Sequence, residues 1–110
     1  MSERIDPMQA LTRMNANAPR LAKAKAERVY MEEYRKSLKA LLMKSSGVES
    51  IGAQEREAYS HKDYLAHLEA LKTAVQGEEV LRWRMVTDQA SIEVWRSQEA
   101  SNRSMDRSAA

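Results

Sequence analysis

Glycine and proline are nearly absent from this chain, with three Gly and two Pro in 110 residues. A many-stranded sheet needs a turn every few residues, and those turns draw on Gly and Pro, so an all-β sandwich or barrel is excluded. What remains is long helices. Arg20 to Lys44 contains no breaker, and His61 to Asn102 contains only Gly77. The reading is all-α, an antiparallel helical hairpin of two long helices with a short N-terminal helix, within a single domain over 1–110.

The boundaries follow from local signals. Asp6-Pro7 is an N-cap and N1 pair, which starts a short helix over 7–15. Asn15-Ala16-Asn17-Ala18-Pro19 then interrupts it. Pro19 opens the first long helix, 19–45, and Gly47 closes it as a left-handed C′ residue after Ser45-Ser46. Residues 48–60 read as a connector with a helical turn around Ala53–Tyr59. Ser60 with Asp63 resembles a capping box for a second long helix, 61–102. Gly77 costs this helix about 1 kcal/mol relative to Ala without having to end it. Residues 103–110 form a Ser- and Arg-rich tail expected to fray.

Leu, Val and Ile total 18 residues and Phe is missing, whereas Ala contributes 16. Helices of this composition form readily but bury little area each. Tyr30, Tyr34, Leu38, Leu41 and Leu42 keep helical spacing on the first long helix, and Leu65, Leu68, Leu71 and Val75 do so on the second. Leu81, Met85, Ile92 and Trp95 continue the second stripe, with Glu78 and Asp88 at its intermediate positions. At 1.5 Å per residue the two long helices span roughly 40 Å and 60 Å. The second therefore outruns the first by about 15 residues, beginning near Asp88 and carrying Ile92, Val94 and Trp95. The short helix could fold back over that overhang through Met8, Leu11 and Met14, or another protein could cover it. A self-contained three-helix arrangement and a homo-oligomer both fit the arithmetic.

The net charge of +2 hides an uneven distribution. Residues 1–46 carry +5, residues 47–80 carry −4 and residues 81–110 carry +1. Four cations of the basic run, Arg20, Lys23, Lys25 and Arg28, are candidates for neutralising phosphates. Arg82-Trp83-Arg84 alternates cations with an aromatic ring, and Trp can stack on an unpaired base while Arg holds the backbone. Solvated charges and a packed Trp are the plainer reading of both clusters. Trp95, with Ile92 and Arg96, is the candidate partner-binding group, because Trp and Arg dominate interface energetics and these residues sit on the overhang.

Catalytic and metal chemistry find no footing. Zero Cys excludes zinc ribbons, disulfide scaffolds and thiol nucleophiles. His61 and His67 lie about 240° apart on a helix, so they are not an i, i+4 ligand pair. His67-Leu68-Glu69 has the H-x-E form of a deaminase, but the later P-C-x-x-C cannot be supplied. Glu32-Glu33 and Glu78-Glu79 lack the Glu-x-x-His of carboxylate metal bundles, and Glu78 or Glu79 is expected to pair with Arg82 instead. No nucleophile, base and orienter can be assembled, and no cofactor is implied. No apolar run approaches a membrane span and MSERIDPMQ is too polar for a signal peptide, so the expectation is a soluble cytoplasmic protein that is not an enzyme.

The C-terminal half carries a resemblance. Its residues are Ala53-Gln54-Glu55-Arg56-Glu57-Ala58-Tyr59, His67-Leu68-Glu69-Ala70-Leu71, Leu81-Arg82-Trp83, Ile92-Glu93-Val94-Trp95-Arg96-Ser97 and Ala100-Ser101-Asn102-Arg103. In this order they resemble small helical proteins encoded by tailed bacteriophages and prophages, which often accompany recombination and replication genes. The resemblance implies a setting, DNA metabolism in a bacterial cytoplasm, and brings no active site with it. The first functional expectation is an accessory protein that docks a phage or host DNA-metabolism protein. The alternatives are a binder of single-stranded DNA and a small phage inhibitor of a host DNA-processing enzyme.

Overall fold

The computed structural model describes residues 4–109, and the fold is all-α. Three helices follow one another, α1 (Pro7–Ser45), α2 (Ile51–Ser60) and α3 (Lys62–Ala109). The two long helices of the hairpin are α1 and α3. The described residues fall into two compact units, a terminal one built from the chain up to Leu21 with Val80 onward, and a central one from Ala22 to Glu79.

The start of α1 is the one the sequence encodes. Asp6 Oδ1 accepts from the backbone N–H groups of Met8 at 2.9 Å and Gln9 at 3.3 Å, satisfying two donors that a helix start leaves open. The expected break at Asn15–Pro19 is not there. α1 runs through Pro19, so the separate helix over 7–15 does not exist and the short helix of this fold is α2. Pro19 removes one N–H and costs a helix interior about 3 kcal/mol in isolation. Asn15 and Pro19 are exposed, leaving the freed carbonyl within reach of water, while Ala10 and Asn17 on the same helix are buried. Packing on that face decides the outcome.

Gly47 ends α1 at φ +77°, where a Cβ would be strained. α2 starts at Ser50, whose hydroxyl accepts from Ala53 N–H at 3.1 Å. The capping box expected at Ser60 and Asp63 does not form. Ser60 closes α2 by donating to the Arg56 carbonyl at 2.8 Å, and His61 Nδ1 accepts the Asp63 N–H at 3.0 Å. His61 is extended, at ψ 140°, and separates α2 from α3. Gly77 leaves α3 unbroken, and the helix continues through residues 103–109, past the end expected at 102.

In the central unit Ala24, Arg28, Met31, Leu38 and Leu42 are among the less exposed positions of α1, and Tyr64, His67, Leu68, Leu71, Ala74 and Glu78 among those of α3. His67 Nε2 donates to the Met31 carbonyl at 2.7 Å, and Arg28 reaches Glu78, so rising numbers on α1 meet falling numbers on α3. In the terminal unit the corresponding positions are Ala10, Met14, Asn17 and Leu21 against Leu81, Met85, Asp88, Ile92, Trp95 and Glu99. Steps of three and four with a seven-residue repeat are the pattern of a coiled-coil seam.

That seam is thinly apolar. Among the described residues the buried hydrophobic side chains are Ala10, Ala58 and Tyr64, matched by buried Asn17, Glu78 and Asp88. The expected apolar stripes turn in only partly. Leu38, Leu42, Leu68 and Leu71 are half-buried, whereas Tyr30, Tyr34, Leu41, Leu65 and Val75 are exposed, the first three of these because they lie roughly 100° around α1 from the seam.

Candidate functional site

Buried charge is the first element of the site question. Glu78, 2% exposed, accepts both a close bond from Arg28 Nε and one from Arg28 Nη2 at 3.2 Å. Arg28 Nη1 also reaches Glu32 at 3.1 Å. The hydrogen bond to Glu78, then that to Glu32, raises the guanidinium pKa still further above its ordinary value, so the cation is permanent. Asp88 Oδ1 accepts from Arg13 Nε at 3.0 Å, and Arg13 Nη2 lies 2.9 Å from the same oxygen. Both guanidiniums compensate carboxylates that burial would otherwise penalise heavily. Glu78 therefore has a cross-helix partner in Arg28, where local spacing alone suggests Arg82.

The four residues of the expected basic run are thereby split. Arg28 is half-buried and committed to two carboxylates, while Arg20, Lys23 and Lys25 are exposed. Arg82, Trp83 and Arg84 are all exposed as well. Arg20, Arg82, Trp83 and Arg84 belong to the terminal unit, and Lys23, Lys25 and Arg28 to the central one.

Ile92 and Trp95 are half-buried on the seam side of α3. Trp95 lines a hollow with Ile5, Pro7 and Gln98, so the stretch after Asp88 is met by the N-terminal turns of α1 itself. Arg96 is exposed and pairs with Glu93 at 3.2 Å. The Trp that stands out is Trp83, at 60% exposed. Val86 and Val94, also exposed, follow it at helical spacing with Ala90 between them. At 100° per residue these four lie on the face of α3 opposite the seam. Their spacing is legible in the sequence, beside the stripe that runs through Trp95.

A second feature escaped the sequence reading because three helices build it. In the central unit Arg35, Lys36, Lys39, Ala40 and Met43 of α1 meet Tyr59 of α2 and Tyr64 of α3 around a cleft of about 610 Å³. Tyr59 and Tyr64 meet edge-on, with centroids 5.3 Å apart. Lys39 Nζ lies 4.6 Å over the Tyr59 ring and 3.6 Å from Glu55. Its pKa is raised by the Tyr59 hydrogen bond first and by Glu55 to a lesser degree.

Among the described residues no three His, Cys, Asp or Glu side chains are grouped as a metal ion needs. No described helix is long and apolar enough to cross a membrane. Compared with protein-family models, with curated proteins and with solved structures, the chain matches none of them.

Proposed function

We propose that this chain is a non-enzymatic accessory protein of DNA recombination or replication that works by pairing helices, with the outer face of α3 as its contact surface and a second copy of the chain as the occupant. The observation that carries the reading is the exposed apolar face of Trp83, Val86, Ala90 and Val94. An α-helix with apolar residues on two opposite faces satisfies one face against its own chain and offers the other to a partner. The genetic setting rests on the resemblance of the C-terminal half to small phage-encoded proteins.

A second copy fits this face by shape and by charge. Antiparallel pairing about a two-fold axis near Asp88 sets Trp83 opposite Val94 of the second copy and Val86 opposite its Ala90. The large ring thus meets a smaller side chain in each half of an isologous contact. Arg82 and Glu93 lie along the same edge of the face, so the two-fold brings Arg82 of each copy to Glu93 of the other. The Glu93–Arg96 pair within the chain is solvent-exposed and yields readily to such an exchange.

Charge exchange tests this arrangement. Arg82→Glu and Glu93→Arg should each weaken the dimer, and the double variant should restore it in sedimentation velocity. Dimers unaffected by either single change would rule out this pairing. A face captured only by a different apolar helix would replace the second copy as occupant.

A further inference from the structure

We infer that the central-unit cleft between α1, α2 and the start of α3 is a binding site for single-stranded nucleic acid that seats one nucleotide at a time. The site is separate from the outer face of α3 and stands or falls independently of it. At about 610 Å³ the cleft has the size of a small-ligand pocket rather than of a duplex-binding surface.

Its lining holds the two chemistries that a nucleotide requires. Arg35, Lys36 and Lys39 supply cations, and no acidic side chain lines the cleft. Two nearby carboxylates do temper that charge, Glu33 at 3.3 Å from Lys36 Nζ and Glu55 at 3.6 Å from Lys39 Nζ. Arg35 has no ion-pair partner among the described residues, and its planar fork suits phosphate oxygens. Tyr59, 46% exposed, offers aromatic surface beside these cations. Its ring stands nearly perpendicular to that of Tyr64, with Lys39 over one side, and these contacts fix its orientation before any ligand arrives.

Aromatic surface beside an unpaired guanidinium favours a strand with splayed bases over an acidic peptide. Stacking on Tyr adds to the affinity of a base, and every base offers a π-face, whereas a carboxylate chain gains from the cations alone. A duplex keeps its bases stacked on each other and cannot present one to the ring.

The test is fluorescence anisotropy with the full chain and a labelled thymidine oligonucleotide of about ten nucleotides, from about 50 mM salt upward. The oligonucleotide should bind at low salt, and the same sequence as a duplex should bind more weakly. Arg35→Gln, at an exposed position, should weaken binding about tenfold and reduce the slope of log affinity against log salt by about 0.7, the signature of one lost phosphate contact. Tyr59→Leu should weaken binding by roughly tenfold, while Tyr59→Phe retains it. Circular dichroism confirms that each variant keeps its helices. No binding at low salt, or equal affinity in wild type and Arg35→Gln, would overturn the proposal. So would polyglutamate displacing the oligonucleotide at equal charge with no dependence on Tyr59, which would assign the cleft to an acidic peptide.

Discussion

Arg28 forks onto Glu78 across fifty residues of sequence, and this pair occupies the seam of the central unit where Leu or Ile would ordinarily sit. At 2% exposure the carboxylate has both of its oxygens met by the same guanidinium, which offsets much of the cost of burying it.

Breaking one side of the pair should therefore cost more than removing both. Arg28→Met removes the guanidinium that meets both oxygens of a buried carboxylate, and the melting temperature should fall by about 10 °C or more. Combining it with Glu78→Leu should recover most of that loss, because an apolar pair of similar volume needs no compensation. Thermal unfolding followed by circular dichroism decides the matter, and equal losses in the single and double variants would show that packing, not charge, holds the position.

How much of this was legible in the sequence depends on how far apart the deciding residues lie. Asp6 and Gly47 act on their own neighbours, and both do what their residue types dictate. Leu81, Met85, Ile92 and Trp95 repeat at helical spacing, and all four turn toward the seam. Pro19 misled, because a local breaking rule cannot register the packing of Ala10 and Asn17 on the same helix. Arg28 with Glu78 could not be chosen from sequence, since Arg82 is an equally good local partner and the cross-helix register is fixed only by the whole fold. The cleft at Arg35, Tyr59 and Tyr64 has no local signal at all, because its walls come from three helices.

Gly77 offers a gain in stability without a change in contacts. It lies within α3, and a Cβ placed there would meet nothing within 4 Å. Gly77→Ala should stabilise the chain by about 1 kcal/mol in urea unfolding. Gly47 gives the opposite sign despite equally open surroundings, because at φ +77° an L side chain is strained, and Gly47→Ala should destabilise by roughly 1–2 kcal/mol.

Ser50 caps the short α2 through a single hydroxyl contact. Ser50→Ala should cost about 1 kcal/mol, and hydrogen exchange should show the loss first at the amides of α2, with those in the middle of α3 least affected.

Lys39 predicts an alkaline limit for α2. Its folded pKa stands above 10.5, raised chiefly by the Tyr59 hydrogen bond, so the folded state favours the charged ammonium. That contribution is fully present below the unfolded value of 10.5 and is lost as pH rises through the folded value. Urea midpoints measured upward from about pH 9 should therefore decline above about 10.5, and less steeply in Lys39→Met.

Pairing of two copies through the outer face of α3 is decided by sedimentation equilibrium of wild type beside Trp83→Glu. Wild type should sediment as a dimer, and Trp83→Glu as a monomer of unchanged helicity. A wild type that sediments as a monomer at every concentration, or a Trp83→Glu variant that remains fully dimeric, would contradict it.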